Sequence, residues 1–159
     1  CPTAAELEKF FGTPVMAPVR VYVGLNSADS PEERAQMALD ELKRAGGFER
    51  SVLLLVTPTG TGWVDPAGQD PVEYLHRGDI ATVTVQYSYL NSPLALMTQA
   101  QYGAEAARAL FQKVYGHWRS LPPESRPRLY LNGLSLGSHN SDLSFDLYDI
   151  IDDPFHGAL

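Results

Sequence analysis

The stretch LYLNGLSLGSHN, residues 129–140, places Ser135 between two glycines that each lie two positions away. The residues before it suit a strand, and the residues after it suit the start of a helix. A G-x-S-x-G sequence between a strand and a helix is typical of a very tight turn that strains the backbone of the serine. Larger side chains at Gly133 and Gly137 would collide with neighbouring backbone. Because such a turn holds the hydroxyl clear of the sheet, the stretch predicts that Ser135 is a nucleophile.

The same turn directs the first amides of the following helix toward the serine. An oxyanion formed on an attacked carbonyl would meet the N–H of Leu136. A second donor usually comes from a loop after a neighbouring strand, and the loop TPTGTGW, residues 57–63, follows an apolar run. Its candidate donors are Thr59, Gly60 and Thr61. Two alternatives stay open: the glycines simply join a strand to a helix, or the 57–63 loop is a phosphate nest or a plain turn.

Working outward, strand-like and helix-like segments alternate along the chain, with a long loop between residues 58 and 80. Right-handed crossovers place the strands in one mostly parallel sheet. We therefore predict an α/β fold with a mostly parallel sheet flanked by helices. The predicted strands are residues 19–25, 51–58, 80–89 and 126–133, and the predicted helices lie within residues 4–11, 27–47, 99–121 and 135–151.

Bulk composition narrows the function classes. The chain has 159 residues, is 44% hydrophobic and carries a net charge of −7, which suits one domain with a buried core. Nucleic acid is not an expected partner, because phosphate binding needs clustered lysines and arginines. No run of about 18 apolar residues is present, so no membrane span is predicted. With one cysteine, Cys1, and no Walker or G-x-G-x-x-G motif, neither a cofactor nor a disulfide within the chain is expected.

The segment VQYSYLNSPLALMTQ, residues 85–99, follows a strand end and is rich in apolar residues. Loops at the carboxyl ends of parallel strands form ligand crevices. The segment therefore predicts the wall of an acyl-binding pocket or a membrane-facing lip, and ordinary core stays open as a slightly favoured alternative. Its apolar residues are Tyr87, Tyr89, Leu90, Leu94, Leu96 and Met97.

No catalytic triad is predicted from the histidines present. His139 lies a turn below Ser135 along the helix, and His117 suits a surface or packing role. Asp153 and His156 follow a predicted helix of about 15 residues, whose far end lies more than about 20 Å from Ser135. His76 is a candidate to line a pocket. No metal site is predicted either: the carboxylates Asp142, Asp146, Asp149 and Asp153 share one helical face and lack a calcium-loop pattern.

Four stretches together resemble the front half of the catalytic domain of an actinobacterial family of membrane-associated α/β-hydrolases. They are residues 20–66, ATVTVQYSYL (81–90), LYLNGLSLGS (129–138) and DPFHGAL (153–159). The resemblance implies an α/β-hydrolase domain behind an N-terminal membrane-embedded region, with Ser135 as nucleophile and Leu136 as oxyanion donor. Residues 1–159 are then a single partial domain with a lead-in at 1–19.

In that family the acid and the histidine follow the nucleophile on later strands. We therefore expect both after Leu159, with the missing C-terminal half as a partner from the same protein. A sheet that stops at the strand before Ser135 would expose an unpaired edge, so residues 1–159 alone are expected to aggregate. The full-length protein is expected to be membrane-associated.

The expected function is a serine hydrolase that cleaves an ester or lipid acyl bond. Two alternatives stay open. One is a non-catalytic module of the same fold that binds a lipid or a partner, and the other is an acyltransferase that passes the acyl group to an alcohol or sugar.

Overall fold

The computed structural model describes the backbone of all 159 residues and every side chain except those of residues 92, 95, 96 and 98–100. Five parallel strands form one sheet in the order β1-β3-β2-β4-β5, with helices on its faces, so the predicted α/β class is confirmed. The elements are α1 (Ala4–Phe11), β1 (Val19–Val23), α2 (Pro31–Arg44), β2 (Val52–Thr57), α3 (Pro66–Leu75), β3 (Ile80–Val85), α4 (Ser92–Ser120), β4 (Arg128–Gly133), α5 (Leu136–Asp142), α6 (Leu147–Ile150) and β5 (Gly157–Ala158), with short 3-10 turns at Leu25–Ser27 and Gly47–Glu49.

Strand β2 is buried on both faces, as its continuous apolar run predicts. Leu53 and Leu55 belong to the larger core cluster, which β2 shares with residues of α2 and α4. Leu54, which lies between them in the strand, packs on the opposite face with Val72 of α3. The sheet therefore has α2 and α4 on one face and α3 on the other, and its central strands are held from both sides.

Helix α2 begins as its sequence predicts. The Ser30 hydroxyl accepts a hydrogen bond from the Glu33 amide at 3.1 Å, and the Glu33 carboxylate accepts one from the Ser30 amide at 3.2 Å. Pro31 occupies the first helical position, where its missing N–H costs no helical bond. Gly46 follows the helix with a φ of 72°, a conformation that favours glycine.

The long loop predicted between residues 58 and 80 is wrong in part, because it contains α3. Asp65 caps that helix by accepting a hydrogen bond from the Ala67 amide at 3.0 Å, and Pro66 follows it. Pro71 lies inside the helix, and because proline usually breaks helices, the sequence pattern does not predict a helix here. Helix α4 also begins seven residues before the predicted 99–121 segment, because the Asn91 side chain caps it.

The single helix predicted over 135–151 is also wrong. It ends at Asp142, resumes for one turn as α6, and is followed by strand β5. Phe145 turns into the core between the two helices and packs edge-on against Phe155 at 4.9 Å. The aspartates at 142, 146, 149 and 153 therefore do not share one helical face. Because β5 pairs with β4, the strand before Ser135 is not the edge strand that the sequence predicted.

Asp153 instead forms an ion pair with Arg126, whose guanidinium also lies 3.5 Å from the centre of the Trp118 ring. The hydrogen bonds from Arg126 hold the pKa of the Asp153 carboxyl below its ordinary value of 3.8. A carboxyl with a lowered folded-state pKa stabilises the fold above the unfolded pKa, and this contribution disappears as the pH falls through the folded value.

We therefore expect Asp153→Asn to lower the free energy of unfolding at pH 7 by about 1 kcal/mol, since the pair is partly exposed. The difference from the wild type should shrink as the pH falls below the ordinary aspartate value of 3.8, because protonation removes the charge of Asp153. Asp152→Asn is the matched control, because the Asp152 side chain is 82% exposed and lies 4.0 Å from its nearest cation. Denaturant titrations between about pH 2.5 and pH 7 measure both. A loss that is equal at all pH values would contradict this assignment.

Candidate active site

Ser135 occupies the junction between β4 and α5 in a conformation that a serine rarely adopts. Its φ is 61° and its ψ is −126°, and its side chain is exposed. A positive φ in a non-glycine residue is sterically costly and persists only where the surrounding structure imposes it. Among the residues described, Arg77 is the other non-glycine residue with a positive φ, and it lies in the turn after α3. The strain at Ser135 is therefore specific to the strand–helix junction.

The two flanking glycines are in positions where no other residue fits. A Cβ on Gly133 would lie 2.4 Å from the carbonyl oxygen of Gly137. A Cβ on Gly137 would lie 2.3 Å from the carbonyl oxygen of Thr57 and 2.6 Å from that of Pro58. Both contacts are with backbone, which cannot move aside cheaply. The first turn of α5 therefore presses against the carboxyl end of β2, where the 57–63 loop begins.

The amides around Ser135 determine which donors an oxyanion could use. The Gly137 amide donates to Leu134 at 3.0 Å, and the Ser138 amide donates to the Ser135 carbonyl at 3.1 Å. The Leu136 amide has no acceptor in the described part of the chain, as its position at the start of α5 leads one to expect. The Leu136 N–H therefore lies next to Ser135 with its hydrogen unused.

The 57–63 loop is a tight, anchored turn. The Thr59 amide donates to Trp63 at 3.1 Å, so it is already used, and the Gly62 amide donates to Thr59 at 2.9 Å. The Tyr22 hydroxyl donates to the Gly62 carbonyl at 2.8 Å. The side-chain Nε2 of Gln86 donates to the Thr61 carbonyl at 3.2 Å. These bonds hold the loop at a fixed place beside the elbow, and they favour Thr61 over Thr59 as an amide donor.

Tyr87 connects the loop to the elbow. Its ring is 4% exposed and packs with Leu136 and Ala106, while its hydroxyl donates to the Pro58 carbonyl at 3.2 Å. Burial raises the pKa of Tyr87 to about 12, although the Asn140 side chain offsets part of the rise, so the phenol stays protonated and remains a donor. Of the residues predicted to wall a pocket, Tyr87 is therefore almost fully buried.

The other members of that predicted wall differ from Tyr87. Tyr89 is 59% exposed, Leu94 is 45% exposed and Met97 is 84% exposed, and Leu90 is half-buried. The side chain of Leu96 lies outside the described residues. The segment thus combines one core tyrosine with three exposed apolar side chains near the carboxyl edge of the sheet.

His156 lies near the opposite, amino edge of the sheet. It accepts a hydrogen bond from the Leu129 amide at 3.1 Å, near the start of β4. Since a strand rises about 3.3 Å per residue, Ser135 lies roughly 20 Å further along. The chain does fold back after α6, but it brings His156 beside the start of β4, whereas Ser135 follows the end of β4.

The remaining histidines divide between packing and surface. His117 stacks edge-on against Phe48 at 4.5 Å, and burial lowers its pKa. His76 lines a cavity of about 230 Å³ between α3 and the sheet, and burial lowers its pKa too. His139 is exposed on α5, and no hydrogen bond joins it to Ser135 among the described residues. None of the four is therefore placed to take the proton of Ser135.

Among the described side chains, one group could offer three ligand atoms to a metal. It consists of Cys1, Asp70 and Glu73, whose ligand atoms lie within 4.8 Å of one another. Glu73 is fully buried, and both of its carboxylate oxygens already accept hydrogen bonds from Arg20. The group is therefore better explained by a buried ion pair than by a metal site.

Asn140 and Arg34 are buried polar residues that the sequence prediction does not include. Asn140 on α5 is fully buried, and its amide has no hydrogen bond of ordinary geometry among the described residues. It fits there because Gly103 on α4 has no side chain: a Cβ on Gly103 would lie 2.1 Å from the Asn140 nitrogen. Arg34 on α2 is 6% exposed. Neither has a local signal in the sequence, because their burial depends on how α2, α4 and α5 pack.

A parallel sheet in this strand order, a strained serine elbow and a neighbouring anchored loop define an α/β-hydrolase. The chain belongs to the alpha/beta-hydrolase family, whose model matches residues 19–159. The comparisons with curated proteins and with solved structures gave no match. The family indicates a hydrolase-type function. Within the described residues, every helix is too short or too polar to cross a membrane.

Proposed function

We propose that this protein is a serine hydrolase in which Ser135 attacks the carbonyl carbon of an ester. The observation that carries the proposal is the positive φ of Ser135, maintained by two glycines that backbone contacts make irreplaceable. Strain of this kind is retained where the surrounding structure enforces it, and it clusters at active sites. We infer that this strain presents the exposed Ser135 hydroxyl at the strand–helix junction, next to the unused Leu136 amide.

The reaction then has two steps. The Ser135 oxygen bonds to the ester carbon while a base takes its proton, and the resulting oxyanion is stabilised by the Leu136 N–H and the Thr61 N–H. The tetrahedral intermediate collapses, the alcohol leaves with the proton, and an acyl-enzyme remains. Water then attacks the acyl-enzyme in the same way, the acid is released, and Ser135 regains its proton. The geometry of the four histidines supports a base from residues outside this sequence, and we propose a histidine oriented by a carboxylate.

The substrate proposal rests on the exposed apolar residues near the carboxyl edge. Trp63 is 52% exposed and Leu134 is 46% exposed, and both lie in the loops that surround Ser135. With the exposed side chains of 89, 94 and 97 they offer apolar surface to an acyl chain. We therefore propose an ester or lipid as substrate, and the membrane association of the full-length protein is part of the same proposal.

A chain-length series of p-nitrophenyl esters tests this function in the full-length protein. We expect hydrolysis, with kcat/KM rising from acetate to longer acyl chains, because burial of each CH2 contributes about 0.8 kcal/mol at most. Added glycerol separates hydrolysis from transfer: a hydrolase releases free acid in proportion to p-nitrophenol, whereas an acyltransferase releases glyceryl ester. A protein that binds the esters but releases no p-nitrophenol would be a non-catalytic module, and the proposal would be wrong.

A further inference from the structure

A second cavity opens at the carboxyl edge of the sheet, on the far side of Tyr87 from the elbow. Its volume is about 570 Å³, and it lies between the loop after β1, the start of α2 and the middle of α4. Tyr87 lines it and also packs against Leu136, so the cavity is one side chain away from the residue that follows Ser135. The charged residues that line it are Asp29, Arg34 and Glu105.

Arg34 is an unusual residue to find at this place. It is 6% exposed, and its Nη1 donates to the carbonyl oxygens of Ala28 at 2.8 Å and Leu25 at 3.3 Å. Its Nε is buried without a hydrogen bond, and Arg34 forms no ion pair within the described part of the chain. A buried guanidinium without a carboxylate is costly, and a bound anion would remove that cost.

The other two charged residues that line the cavity are exposed. They are Asp29 and Glu105, so Arg34 is the buried charge of the three. Arg34 would attract a simple anion, but these carboxylates would repel it. A simple cation would be attracted by the carboxylates and repelled by Arg34. A ligand that carries both an anionic group and an ammonium group satisfies all three residues.

We propose that this cavity binds a small zwitterion, with its carboxylate or phosphate on Arg34 and its ammonium on Asp29 and Glu105. Guanidinium groups recognise both carboxylates and phosphates, so the anion class is shared and must be separated by experiment. The site needs no chemistry at Ser135, and its failure or success is therefore independent of the hydrolase proposal.

Calorimetric titration of the full-length protein tests the site with matched probes. Glycine and phosphoethanolamine are the zwitterions, and acetate and inorganic phosphate are the corresponding simple anions. We expect at least one zwitterion to bind at least tenfold more tightly than its matched anion. Whether glycine or phosphoethanolamine binds more tightly then shows whether the site prefers a carboxylate or a phosphate. The Ser135→Ala protein should bind it equally well. If neither zwitterion binds, or if each binds no better than its matched anion, the proposal is overturned.

Two variants locate the binding. Arg34→Met should weaken the zwitterion at least tenfold, whereas Arg44→Met on the same helix should not, because Arg44 is exposed and pairs with Glu41. The exposed double variant Asp29→Asn, Glu105→Gln keeps the test valid if Arg34→Met does not fold. It should weaken the zwitterion and strengthen the simple anion. Unchanged affinities in the double variant would contradict the proposed arrangement.

Discussion

Ser135→Ala should lower kcat/KM for the best p-nitrophenyl ester by about 10⁴-fold or more, because loss of the nucleophile removes the covalent route. The hydroxyl is exposed and forms no hydrogen bond among the described residues, so the fold should not depend on it. Alanine also tolerates the same backbone conformation no worse than serine does. The thermal midpoint of the variant should therefore stay within about 2 °C of the wild type. Steady-state kinetics and a melting curve on the same sample measure both effects.

Ser138→Ala is the matched control for that experiment. Ser138 lies three residues further along the same turn, and its side chain is exposed. Its amide, which the substitution keeps, makes the hydrogen bond to Ser135. Its activity should stay within about twofold of the wild type. If Ser135→Ala retains most of its activity, Ser135 is not the nucleophile, whatever its geometry.

Gly137→Ala should strongly destabilise the fold. The added Cβ would lie 2.3 Å from the Thr57 carbonyl oxygen and 2.6 Å from that of Pro58, so α5 must move away from β2. Because backbone on both sides resists that movement, we expect a loss of about 4 kcal/mol or more in the free energy of unfolding. Activity should fall with it, since the Leu136 amide moves with α5. Denaturant unfolding measures the stability, and the ester assay measures the activity.

Gly116→Ala is the same chemical change, but we expect it to stabilise the fold. Gly116 lies inside α4, is exposed, and has no atom within 4 Å of the added Cβ. Alanine should therefore raise the free energy of unfolding by about 0.5–1 kcal/mol through its higher helix propensity. Two glycine-to-alanine changes with opposite signs separate steric contact from general effects of the substitution. A Gly137→Ala protein as stable as the wild type would contradict the packing of α5 on β2.

Local signals explain which elements could be predicted from the sequence. The apolar run of β2 and the capping box of α2 both depend on residues close together in the chain, and both are present as predicted. Helix α3 was missed because Pro71 lies inside it, and the break after Asp142 was missed because it depends on Phe145 reaching a distant core. Strand β5 has two residues, which is too short for a periodic pattern to predict.

In the candidate site, too, features that depend on neighbouring residues could be predicted and features that depend on packing could not. The elbow is a motif of five consecutive residues, so its turn could be predicted from steric argument alone. The buried charge of Arg34 could not, because Arg34 occupies an ordinary helical position and becomes buried only when the loop after β1 folds over it. The same holds for Asn140, which is enclosed by α4 at Gly103. Folding of a loop over α2 creates the environment of Arg34, and packing of α5 on α4 creates that of Asn140; no local pattern in the sequence predicts either.

The most direct test of the central claim is to treat the full-length protein with a fluorophosphonate probe and locate the adduct by mass spectrometry of the digested protein. We expect one modified peptide, with the phosphonyl group on Ser135, and no adduct on that peptide in Ser135→Ala. Labelling should also be lost after heat denaturation, because it depends on the folded site. An unlabelled wild-type protein that hydrolyses esters, or an adduct on another serine, would contradict the account.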